Sequence, residues 1–146
     1  RPLNNLCRSA IGLSGIWQIA FDPDGMGEDR DWPQGIDKSR SYAIAVPGSW
    51  NEQLAEAGYM NYCGDAWYET RFFVPEIADD RMFSLYFGSV DYRADIWVNG
   101  KFAGSSSAAM LPIEIPLNGL VTSGTEAVLV VRVNASLDPD GPTQGI

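Results

Sequence analysis

Apolar and polar residues alternate at a spacing of two along most of the chain, the signature of strands with one buried face. Trp17, Ile19 and Phe21 point inward from a first run that opens at Gly15. Residues 22–41, rich in Gly, Asp and Pro, then form a long loop around Trp32. Residues 42–46 make a short strand stopped by Pro47-Gly48, and Ser49 can cap one helical turn with Glu52 three residues on. After a connecting loop over 55–65, three strand-like runs follow one another at 66–74, 83–87 and 94–98. In the first, Trp67, Glu69, Arg71 and Phe73 share one face, and Tyr68, Thr70, Phe72 and Val74 share the other. Pro75 has no N–H to offer a ladder and ends it. This succession predicts a β meander whose apolar face needs a second sheet.

Asn99-Gly100 supplies two residues that tolerate positive φ, so a hairpin is expected there, with a returning strand at 101–104. Ser105 to Ala109 reads as a small, polar break. Residues 110–117 carry Pro112 and Pro116, which confine them to a sheet edge, whereas 127–134 are apolar enough for a central strand. Residues 1–12 are expected over the surface, and the tail from Ser136 is expected to be irregular. Eight or so short strands with almost no helix predict an all-β fold, a jelly-roll β-sandwich.

Composition narrows the function. At 146 residues the chain fits a single domain over 1–146, large enough to bury about 68–70% of its unfolded surface. A net charge of −9 disfavours nucleic acid and anionic membrane as partners. No apolar run approaches the roughly 20 residues of a spanning helix. The chain begins with Arg and shows no basic-then-apolar leader, which favours a trimmed amino terminus and a cytoplasmic setting. Cys7 and Cys63 are then read as two thiols of a reducing compartment rather than a disulfide. With no His, the chain cannot build Ser-His-Asp or Cys-His catalysis or a Cys/His zinc site. Asp22-Pro23-Asp24-Gly25 and Asp138-Pro139-Asp140-Gly141 are turns lacking the alternate Asp/Asn and distant Glu of a calcium loop, so no metal or cofactor is expected.

Four ordered motifs carry a family resemblance. They are Leu13-Ser14-Gly15-Ile16-Trp17; Ala45-Val46-Pro47-Gly48-Ser49-Trp50-Asn51-Glu52-Gln53; Asn61-Tyr62-Cys63-Gly64-Asp65-Ala66-Trp67-Tyr68-Glu69; and Gly88-Ser89-Val90-Asp91-Tyr92-Arg93-Ala94-Asp95-Ile96-Trp97-Val98-Asn99-Gly100. Over about residues 11–146 the chain resembles the amino-terminal sugar-binding domain of family 2 glycoside hydrolases, closest to the β-glucuronidase and β-galactosidase branch. The resemblance implies a galactose-binding-domain-like jelly roll, followed in family members by an immunoglobulin-like sandwich and a barrel that holds two catalytic glutamates. It also implies a further segment with an active-site Asp and a closing strand. Neither falls within these residues, so the chain is expected to be a piece of a longer enzyme lacking its last strand. One motif departs: where the family has a Gly pair, aromatics and an Asp, this chain has Ala108-Ala109-Met110-Leu111-Pro112-Ile113-Glu114-Ile115-Pro116. Only Pro112 and Glu114 match the family pattern.

Retaining glycoside hydrolysis needs two carboxylates about 5–5.5 Å apart. Glu52, Glu69 and Glu114 lie near motif positions, but Glu69 is read as a solvated residue or an edge residue adjacent to Arg71, and no catalytic residue is assigned. Sugars are held by an aromatic platform and Asn/Asp hydrogen bonds to hydroxyls. The candidate carbohydrate contacts are therefore Asn61, Tyr62 and Asp65, with Trp50 from a nearby loop. In the β-galactosidase branch an Asn of a comparable loop touches substrate, and Asn61 is its best match. The competing reading has Asn61 and Asp65 satisfying loop backbone while Tyr62 packs. Trp17, Trp67 and Trp97 are expected in the core. The function expected is a non-catalytic domain walling the substrate cleft of a β-glycosidase, partnered by a β-glycoside and by other domains of a parent whose assembly, a homo-oligomer included, is left open. A free-standing, lectin-like carbohydrate-binding module and a purely structural, oligomerising domain are the rival readings.

Overall fold

The computed structural model describes residues 12–76, 83–87, 93–107 and 113–134. Residues 1–11, expected over the surface and including Cys7, the motif stretch 108–112, the second Asp-Pro-Asp-Gly sequence and the tail expected to be irregular lie outside the described residues. Among the described residues, no helix is long and apolar enough to cross a membrane.

The strands are β1 (Gly15–Asp22), β2 (Tyr42–Val46), β3 (Asp65–Phe73), β4 (Ser84–Phe87), β5 (Arg93–Val98), β6 (Lys101–Ser107), β7 (Ile113–Pro116) and β8 (Glu126–Asn134). A single helical turn, α1 (Trp50–Gln53), follows β2. Six strands form one sheet in the order β2-β1-β3-β8-β5-β6, and β4 pairs with β7 in a second. Their packing makes a β-sandwich of jelly-roll type.

The expected meander does not form. β3 lies between β1 and β8, β4 crosses to the other sheet, and β5 returns to pair with β8 and β6. Alternation reports which face a residue takes, not which strand lies beside it. The neighbour of β3 is decided by length: β3 and β8 match over nine residue pairs, from Asp65↔Asn134 to Phe73↔Glu126. β4, with four residues, could satisfy only part of that ladder. The central place expected for β8 is observed. β6 runs on to Ser107, so the serines expected to break it are strand residues, with Ser105 opposite Asp95 and Ser106 opposite Ala94. The Asn99-Gly100 turn has φ of 51° and 80°, the double positive φ of a tight hairpin. Asn99 also donates to the Leu120 carbonyl at 2.8 Å and accepts from Val128 N at 3.0 Å, tying the turn to β8.

The main core fills the space between the sheets. Trp17, Ile19 and Phe21 of β1, Tyr68 of β3, Ile96 of β5 and Val131 of β8 meet Leu85 and Ile115 of the second sheet. The opposite face of the large sheet carries a second, smaller core. Trp67 and Trp97 stack at 5.2 Å, and Trp32 from the 22–41 loop packs edge-on against Trp67 at 5.8 Å, with Ile36 beside it. The Arg132 guanidinium lies over both stacked rings, 5.3 and 5.2 Å from their centroids. Trp17, Trp67 and Trp97 are thus core residues as expected, and Trp32 joins them at 2% exposure.

Two buried carboxylates fasten the loop over this outer core. Asp22 accepts from Met26 N at 2.9 Å, Gly27 N at 2.8 Å and the Trp67 indole at 3.0 Å. Glu69 accepts from Ile36 N at 2.9 Å and Lys38 Nζ at 2.7 Å. The expectation that Glu69 is solvated or on a sheet edge is corrected here, while its adjacency to Arg71 is observed. It is 3% exposed on a central strand, because the loop folds over it and supplies its donors, with Arg71 Nε 3.7 Å away on its open side.

Candidate carbohydrate site

The candidate residues lie where α1 and the loop after it close the end of the sandwich at the Asp22 and Asp65 ends of β1 and β3. Ser49 caps α1 as expected, its hydroxyl accepting from Asn51 N at 3.1 Å. Gln53 then reaches back to the edge strand β2, its amide accepting from Ala45 N at 2.7 Å and donating to Ala45 O at 3.0 Å. This copies a ladder rung and occupies the exposed edge of the sheet there. Leu54 is buried and carries the chain into a compact turn, with Ala57 N and Tyr59 N both bonded to its carbonyl. Gly58 takes the positive φ of 99° that this reversal requires.

Aromatic stacking fixes the rest of the loop. Tyr59 lies flat on Phe21, ring centroids 3.8 Å apart at 11°, and meets the Tyr42 ring edge-on at 5.5 Å. Tyr62 meets Phe21 edge-on at 4.8 Å and Trp50 at 6.1 Å, and its hydroxyl donates to the Asp65 carbonyl at 2.7 Å. Burial pushes the Tyr62 phenol well above its ordinary range, with the charges of Asp65 and Asp22 adding to the rise and a hydrogen bond at Asp22 opposing it. Tyr62 therefore stays protonated at neutral pH. Asp65 opens β3 and accepts from the Asn134 side chain of β8 at 2.6 Å.

These contacts divide the four residues named from the sequence. Trp50 is 0% exposed and enclosed by Phe21 and Tyr62, so its ring offers no open face for a sugar. It belongs to the core because α1, rather than an open loop, carries it inward. Tyr62 and Asp65 are half-buried and engaged within the fold, as the competing structural reading expects. Asn61 differs. It is exposed, and its carboxamide makes no hydrogen bond among the described residues. Beside it Met60 is 56% exposed. The loop thus brings Asn61, Tyr62 and Asp65 to one rim and removes Trp50 from it. Tyr42, Tyr59 and Asn51 take part as well, and the only sequence signal for them is the close spacing of Tyr59 and Tyr62.

The other acids are structurally occupied or isolated. Asp95 is 6% exposed and bonded to Ser105, Arg93 and Arg132, the last at 2.8 Å. Burial alone would raise its carboxyl, but these three donors and the Arg132 charge outweigh that and hold it below the usual carboxylate range. Arg132 also pairs with Glu28 at 2.6 Å. Glu52 and Glu114 are exposed. A shallow groove lined by Leu13, Ile16, Trp17, Arg71 and Phe73 lies at the opposite end of β1 and β3 and contains none of the candidate residues.

Comparison with known proteins places this architecture. Residues 11–141 match the family model described as glycosyl hydrolases family 2, sugar binding domain. The chain is 33% identical over 138 residues to a β-glucuronidase of Paenibacillus borealis, covering 94% of this chain and 23% of that one. A β-glucuronidase of Rattus norvegicus is 30% identical over 148 residues, again 23% of its length. The solved structure of a β-glucuronidase from Ruminococcus gnavus in complex with D-glucaro 1,5-lactone superimposes with a TM-score of 0.76 at 30% identity, over 86% of this chain and 22% of that one. The chain thus spans less than a quarter of the length of these relatives. It belongs to the sugar-binding domain family of the family 2 glycosyl hydrolases.

Proposed function

We propose that this chain is the non-catalytic, sugar-contacting domain of a longer retaining β-glycosidase of β-glucuronidase type. Its work is to wall part of the substrate cleft of a barrel domain outside these residues and to touch the glycoside through the Asn61 loop. The observation that carries this reading is the exposed Asn61 carboxamide, without a hydrogen bond among the described residues, on a rim stiffened by stacked aromatics. A carboxamide presents a donor and an acceptor together, the pairing that sugar hydroxyls need. Nothing among the described residues offers a free buried acid for hydrolysis: Asp22, Glu69 and Asp95, the buried acids among them, are each held by two or more donors. The β-glucuronidase relatives support a β-glucuronide as the glycoside.

The test is to offer the chain a chromogenic aryl β-glucuronide and, separately, to titrate it with methyl β-D-glucuronide. The expected result is no release of the aglycone together with weak, saturable binding that Asn61→Ala removes. Turnover by the chain would overturn the non-catalytic role. Binding that ignores Asn61→Ala would overturn the site. Specific binding tighter than about 0.1 mM, a free energy beyond roughly −5.5 kcal/mol, would favour a lectin-like module that works by itself.

A further inference from the structure

Asn61 makes no side-chain bond among the described residues, so something else must fix where its carboxamide points. The loop is anchored on both sides. Before it, Tyr59 is held by its backbone bond to Leu54 and its stack on Phe21. After it, Tyr62 is held by its bond to the Asp65 carbonyl and a backbone bond to Tyr59. Between them Met60 and Asn61 project outward. The peptide that joins these two residues is gripped at the Met60 carbonyl, which accepts from Asn51 Nδ2 at 2.6 Å. Asn51 is itself oriented from below, because its Oδ1 accepts from the Ser49 hydroxyl at 3.1 Å. The chain of contacts thus runs Ser49, Asn51, the Met60 carbonyl, Asn61.

We infer that Asn51 is the positioning residue of the carbohydrate rim: by holding the Met60–Asn61 peptide it presents the Asn61 carboxamide to the hydroxyls of a β-glycoside. Rotation of that peptide would swing the Asn61 side chain away from the rim, since the direction of Cβ follows the backbone. The inference rests on the reading of Asn61 as the sugar contact. It also assigns a task to the Ser-Trp-Asn-Glu-Gln motif, whose Trp50 goes to the core and whose Gln53 guards the sheet edge.

Asn51→Asp isolates the grip. The carboxylate keeps an oxygen for the Ser49 hydroxyl and suits the first turn of α1, where negative charge is favoured. It replaces the donor that holds Met60 by an oxygen that repels the carbonyl. In the 146-residue chain, amide resonances of Met60 and Asn61 should move in Asn51→Asp while those of residues 44–46 stay in place. The affinity for methyl β-D-glucuronide should fall roughly three- to tenfold, the loss of one hydrogen bond's worth of order. Asn51→Asp combined with Asn61→Ala should bind no more weakly than Asn61→Ala alone, because the first acts only through the second. Three results would overturn the assignment: unmoved Met60 and Asn61 resonances, full affinity in Asn51→Asp alongside lost affinity in Asn61→Ala, or additive losses in the double variant. If Asn61→Ala itself binds normally, the sugar-contact reading falls and the assignment with it, whereas the second result removes only the role of Asn51.

Discussion

Replacing Asp22 by Ala tests how the outer core is held. Asp22 is 3% exposed and receives three N–H groups, from Met26, Gly27 and the Trp67 indole. The Met26 N–H is only partly buried and can turn to water. The other two donors are buried and would lose their acceptor. Each such orphaned donor costs about 1–3 kcal/mol, so the substitution should destabilise the domain by about 2–6 kcal/mol. For a domain of this size that corresponds to a fall in Tm of roughly 5–15 °C. Urea unfolding followed by tryptophan fluorescence measures it directly, because Trp32, Trp67 and Trp97 share this core. Amide exchange should rise first at residues 26, 27 and 36. Asp24→Ala, on an exposed neighbour in the same turn, should stay within about 0.5 kcal/mol of wild type. An Asp22→Ala loss below about 1 kcal/mol at an unchanged urea slope would refute the claim that this carboxylate fastens the loop.

Other perturbations follow from the same geometry. Gly27→Ala would drive a Cβ into the Trp67 indole ring, and overpacking of this kind should lower stability by about 1–3 kcal/mol in the same urea assay. Asn99→Ala places Ala at a φ of 51° and removes the bonds to Leu120 and Val128, for an expected loss of about 2–4 kcal/mol by thermal unfolding. The Asp95 carboxyl titrates below its ordinary value of 3.8 in the folded chain. Between the two values the unfolded chain binds more protons, so Asp95 stabilises the fold above pH 3.8 and that contribution drains away as pH falls through the lower, folded value. Asp95→Asn should therefore flatten the acid limb of a stability–pH curve while leaving Arg132 less well compensated near neutrality.

The sequence made the faces of the strands legible and left their neighbours obscure. Trp17, Ile19 and Phe21 point into the main core as their alternation demands, and the Asn99-Gly100 hairpin follows from local chemistry. The crossing of β4 to the second sheet does not, because a four-residue strand carries no record of its partner and the pairing of β3 with β8 spans more than fifty residues of chain. Glu69 looked solvated for a related reason. Its donors, Ile36 and Lys38, come from a loop whose docking depends on Trp67 and Trp97 meeting Trp32 in three dimensions. At the candidate site the loop was legible as a place and its residues only in part. A helical turn at Trp50 is legible in the sequence, but one turn does not reveal which way its ring points, and α1 directs it into the core. The grip of Asn51 on Met60 joins α1 to an irregular loop nine residues on, where no periodicity exists to reveal it.

A residue-resolved map of amide shifts, recorded while the chain is titrated with methyl β-D-glucuronide, tests the central claim most directly. Saturable shifts centred on residues 60–65 and lost in Asn61→Ala are expected, with unmoved resonances around Ile16 and Phe73 at the far end of the same strands. Shifts centred on that far groove, or none at millimolar sugar, would contradict it.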